Sequence, residues 1–84
     1  MGRKHKKTLA AIFADPVRAN IAWDDVISLF QALGASITPG GGSMFGIELL
    51  GATAVFHKPH PGHELSKSLV RRFRRFLEGA GIEP

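Results

Sequence analysis

Three of the chain's four histidines, His57, His60 and His63, fall within seven residues. Imidazole is the side chain that titrates near neutrality, so one ring can take a proton from a hydroxyl while a second returns one. The rings recur at every third residue, and Pro59 and Pro61 lie between them. Two prolines favour polyproline II, which repeats every three residues, so the three rings are expected to project from one edge. Lys58 lies inside the segment, and Lys67 and Arg71 follow it; such cations stabilise charge developing on a phosphate. This set of groups suits cleavage of RNA by attack of a ribose 2′-hydroxyl, which needs no metal.

Two other readings of the same residues compete. Three imidazoles are a zinc ligand set with an open fourth position, but the intervening prolines and the lack of Cys or carboxylate in residues 57–63 argue against it. The plain alternative is a rigid turn whose histidines only cap a strand and a helix. Spacing alone does not separate that turn from a catalytic one.

The elements that must position the histidines flank them directly. Thr53 to His57 alternates as a strand leading into the segment. Beyond it, Leu65, Leu69, Phe73, Phe76, Leu77 and Ala80 form the apolar face of a helix that carries Lys67, Arg71, Arg72, Arg74 and Arg75. Ser66 is its expected N-cap and Gly81 its stop. The start of that helix, beside Lys67, is suited to an anion, whereas Arg74 and Arg75 read as solvated.

Upstream, Trp23, Val26, Ile27, Phe30 and Leu33 make one stripe at helical period. Asp24 and Asp25 suit its positive end, and Gly34 its stop. Trp23 heads that stripe and reads as core more than as a base-stacking platform. Ala35 to Thr38 is a plausible first strand, Pro39 to Ser43 a glycine-rich connection, and Met44 to Leu50 a second strand turning at Gly51-Ala52 into the third. Gly42 and Ser43 could offer backbone N–H groups to a phosphate, although no Walker lysine follows. Thr8 is expected to cap a short helix through Ala14, stopped by Pro16, with residues 1–7 as a basic tail and 8–84 as one domain. The order is α+β: three antiparallel strands covered by helices, with an extra short helix in front.

The 84 residues have room for one domain. Without Cys there is neither a disulfide framework nor a thiolate metal site, which suits a cytoplasmic setting. No run reads as a signal peptide or approaches the roughly 20 apolar residues of a membrane span. A net charge of +4 favours a polyanionic partner through counterion release.

The chain resembles the HicA family of toxins from bacterial and archaeal toxin–antitoxin pairs, over roughly residues 22–82. The likeness rests on a helix ending Leu33-Gly34, a Gly-Gly-Ser turn at 41–43, His60-Pro61-Gly62 after a strand, and a helix ending Phe76-Leu77-Glu78-Gly79-Ala80-Gly81. The resemblance implies a fold like the double-stranded-RNA-binding domain, α-β-β-β-α. It also implies an mRNA-cleaving endoribonuclease (an mRNA interferase) of a type II pair, neutralised by a HicB-like antitoxin that covers the site. Many members read Gly-Ser-His at the hairpin, where this chain has Ser43-Met44, and a thioether cannot replace imidazole in proton transfer.

The expected catalytic residues are therefore His60, which matches the family position, and His57, which is read from the segment itself. Lys58, His63, Lys67, Arg71, Gly42 and Ser43 are expected to contact RNA. No metal or other cofactor and no membrane is expected. The alternative is an RNA-binding or partner-binding module of the same fold that cuts weakly or not at all because of Met44.

Overall fold

The computed structural model describes residues Met1–Pro84. The elements are α1 (Arg3–Ile12), α2 (Trp23–Ala32), β1 (Ser36–Pro39), β2 (Met44–Leu49), β3 (Ala52–His57) and α3 (Lys67–Gly79). The strands form one antiparallel sheet in the order β1-β2-β3. Segment α2 to α3 is thus α-β-β-β-α, the order of the double-stranded-RNA-binding domain, with α1 added in front.

Strand alternation assigns the two faces of the sheet. Phe45, Ile47, Leu49 and Phe56 turn toward the helices, whereas Met44, Glu48, Thr53, Val55 and His57 lie on the open face. Phe73 of α3 is the hub of the core. Its ring stacks on Phe56 of β3 at 4.2 Å and meets Trp23 and Phe30 of α2 at 5.8 and 5.4 Å. Trp23 is only 2% exposed and touches Phe45 as well, so its ring is committed to packing and is unavailable to a base.

Element boundaries follow local chemistry. Leu33 caps α2, and Gly34 takes the left-handed conformation at φ 91° that ends it. The β2–β3 turn falls on Leu50-Gly51, one residue earlier than the sequence suggests; both residues have positive φ, as a type I′ hairpin requires. Pro39 sits on edge strand β1, where its missing N–H faces away from β2. On α2 the buried stripe runs through Leu29 as well as Trp23, Val26 and Phe30, while Ile27 and Leu33 are half-buried. On α3, Val70 joins Phe73, Phe76 and Leu77 in the core, and Leu69 is half-buried.

The N-terminus departs most from expectation. Residues 3–7, read from sequence as a tail, form the first turns of α1, and Thr8 lies inside the helix instead of capping it. Its buried hydroxyl donates to the Lys4 carbonyl at 3.1 Å. Leu9 and Ile12 are buried against the core, and the Lys4 ammonium pairs with Asp25 of α2 at 3.2 Å. Apolar anchoring at one end of the helix holds basic turns that have little reason to order alone.

Arg74 completes that attachment. Its guanidinium donates to the Ile12 carbonyl at 2.9 Å and to the Ala14 carbonyl at 2.7 Å, satisfying acceptors left open at the end of α1. The side chain read as solvated is therefore a structural clamp. Arg72 does similar work at the sheet edge, donating to the Val55 carbonyl at 3.0 Å with its guanidinium 4.7 Å from the Phe56 ring centre.

Candidate functional site

The candidate site lies where β2 starts and β3 ends. Met44 is the Cα partner of His57, and both side chains stand on the open face of the sheet. One residue outward, the Lys58 N–H donates to the Ser43 carbonyl at 2.8 Å. That bond makes Met44–His57 a non-hydrogen-bonded pair, the arrangement in which opposed side chains come closest. It also ties the glycine-rich turn to the histidine segment. Ser43, with Gly42 next to it in the turn, therefore lies beside Lys58 and His57. The Gly40 N–H to Met44 carbonyl bond at 2.8 Å holds the other side of that turn.

Beyond Pro59 the chain folds back on itself. Gly62 and His63 both take positive φ, 93° and 55°, so the segment does not continue as the polyproline II rod expected from its prolines. The three imidazoles accordingly do not project from one edge. His60 and His63 face each other edge to face, with ring centres 5.8 Å apart, while His57 stays on the strand opposite Met44. All three rings belong to exposed residues.

The segment leading into α2 pins this turn as a strap. The Trp23 N–H donates to the His63 carbonyl at 2.9 Å, and the Leu65 N–H donates to the Ile21 carbonyl at 2.8 Å. The Asn20 N–H returns to the Leu65 carbonyl at 3.0 Å, and Leu65 itself is 1% exposed. Residues 20–23 thus fix the loop from a distance of some forty positions along the chain, and no local sequence signal marks them for that task.

The cations divide by position. Ser66 caps α3 by accepting from the Leu69 N–H at 3.2 Å, which places Lys67 at the first turn with its neighbouring N–H groups free for an anion. Arg71 stands one turn further on, exposed. The chain's one ion pair joins Lys4 and Asp25, so Lys58, Lys67 and Arg71 are not neutralised by a carboxylate. No three His, Asp or Glu side chains converge as a metal-ligand set.

The concavity of the molecule lies further along the same open face of the sheet. It has a volume of about 440 Å³ and is lined by Ser36, Thr38, Glu48, Thr53 and Val55 among others. It is an open groove, and no histidine lines it. The candidate residues gather at the sheet end and its turn, outside this groove. No helix is long and apolar enough to cross a membrane.

The whole arrangement (a helix over a three-stranded sheet, a glycine hairpin against a histidine turn, a basic closing helix) can be compared with known proteins. No curated protein and no solved structure matches the chain. A family model described as the HicA toxin of bacterial toxin–antitoxin systems matches residues 23–82, from the first residue of α2 to just beyond α3, and the chain belongs to that family.

Proposed function

We propose that this toxin is an mRNA-cleaving endoribonuclease of the cytoplasm, working without a metal and silenced by a HicB-like antitoxin that covers the sheet end. The observation that supports this reading best is the edge-to-face approach of the His60 and His63 rings on an exposed turn beside unpaired cations. His60 is the acid–base group. His63 faces it directly, and His57 on the adjoining strand is the second candidate for the companion proton.

In the reaction, one imidazole removes the proton from a ribose 2′-hydroxyl, and that oxygen attacks the neighbouring phosphorus. The bond from phosphorus to the 5′-oxygen breaks, and an imidazolium protonates the departing oxygen, leaving a 2′,3′-cyclic phosphate and a 5′-hydroxyl. Lys58, Lys67 and Arg71 steady the charge that accumulates on the non-bridging oxygens, and the Gly42-Ser43 turn approaches the backbone.

Met44 favours a second reading, because it places a proton-inert side chain opposite His57. On that reading the chain holds RNA or a partner without cutting it. A chimeric oligonucleotide separates the two. A ribonuclease of this type cuts the all-RNA strand, in the presence of chelator, and binds but spares the strand carrying a 2′-deoxy substitution at the cut position. A pure binder leaves both strands intact.

A further inference from the structure

Helix α1 lies outside the segment that matches the family, which begins at Trp23. It carries Arg3, Lys4, Lys6 and Lys7 and no acidic residue. The other seven basic residues of the chain are balanced by its seven acidic ones, so the whole net charge of +4 resides on this helix. Residues 13–84, which follow the helix, carry no net charge.

The helix is fixed, and its charges point one way. Thr8, Leu9 and Ile12 face the core, whereas Arg3, Lys6, Lys7 and Ala10 are exposed. Positions 3, 6, 7 and 10 recur on one helical face, opposite the buried stripe. Its C-terminal end is held by the Arg74 clamp. Lys67, Arg71 and Arg74 share one row of α3, so the exposed cations of that row lie on the side of α3 that turns toward α1.

The basic end of α1 also lies near the histidine turn. Lys4 pairs with Asp25 at 3.2 Å, and two residues before Asp25 the Trp23 N–H donates to the His63 carbonyl at 2.9 Å. The first turn of α1, from which Arg3 and Lys6 project, is thus tied through Asp25 to the start of α2, which pins the histidine turn. The exposed face of α1 presents arginine and lysine with Ala10 after them, a composition rich in charge, which is depleted in the centre of protein–protein contacts, and suited to phosphates.

We infer that α1 is an RNA-docking element, in which Arg3, Lys6 and Lys7 engage backbone phosphates flanking the strand cut at the histidine turn. The inference rests on the RNA reading above for the identity of the polyanion, and it assigns to α1 the electrostatic share of substrate affinity.

The test measures binding of a single-stranded 2′-O-methyl RNA 20-mer, which cannot be cut through its 2′-oxygen, across a salt series. The parent is compared with Arg3→Gln/Lys6→Gln/Lys7→Gln and with Ala10→Lys. Loss of three phosphate contacts should weaken binding about tenfold at low salt and flatten the plot of log affinity against log salt by about 2 units. Ala10→Lys should steepen it by about 0.7. Helix content and melting temperature confirm that α1 stays folded in each variant, and the added-lysine protein gives an independent reading should the triple variant lose it. Equal affinity and slope across all three proteins, with the parent binding RNA, would overturn the role of α1 alone. A parent that binds no RNA at low salt would overturn the RNA reading and this inference together.

Discussion

Met44 and His57 oppose each other across the β2–β3 ladder, on the open face of the sheet and one residue inside the hydrogen bond from Lys58 to Ser43. A side chain introduced at either position is therefore presented to the other at the rim of the candidate site. This pairing makes the departure at Met44 an experimental handle.

Met44→His should raise the rate of RNA cleavage. Met44 is 37% exposed, so the substitution sits at a surface position where stability changes are within about 0.5 kcal/mol. It places a second proton-transferring ring beside His57. Cleavage rates of parent and variant on one oligonucleotide measure the effect. An unchanged rate would confine the chemistry to the His60–His63 turn.

Arg74→Ala should destabilise the protein by about 2–3 kcal/mol, because two charge-assisted hydrogen bonds to the end of α1 are lost together. Arg74→Lys should recover only part of that loss, since an ammonium cannot reproduce the fork that reaches both carbonyls. Denaturant unfolding of the three proteins measures this. A lysine variant as stable as the parent would show that charge, not geometry, holds α1.

Much of this architecture could be read from local pattern. The α2 stripe ended by Gly34, the α3 stripe capped by Ser66 and the alternation of Thr53 to His57 each carry their own period and punctuation. The start of α1 could not, because a run of like charges without a cap residue looks solvated. Its order comes from Asp25 and Arg74, which lie about twenty and sixty to seventy residues away in the chain. The histidine spacing was equally plain, but its geometry was not. Prolines at 59 and 61 argue for an extended rod, whereas the backbone turns at Gly62 and His63 and the His60 and His63 rings meet edge to face. The strap from residues 20–23 left no mark in the sequence, since backbone groups carry it.

Leu50→Asn should stabilise the fold by about 1 kcal/mol. Leu50 holds φ 50° in the hairpin turn and is 73% exposed, so it bears the left-handed cost without a packing return. Asparagine tolerates that conformation and is favoured in type I′ turns. For a chain of this size the gain corresponds to a rise of roughly 4–8 °C in melting temperature. A variant that melts at or below the parent temperature would mean that Leu50 packs on something in solution.

Whether the imidazole of His60 moves protons during RNA cleavage is decided by the single-turnover cleavage rate of purified His60→Ala on the oligonucleotide that the parent cuts. His60 lies on an exposed turn, so the variant should keep the parent's circular dichroism and melting temperature. Its cleavage rate should fall by about 10²- to 10⁴-fold, the usual contribution of a positioned acid–base group. A correctly folded variant that cuts at the parent's rate would remove His60 from the proton transfer.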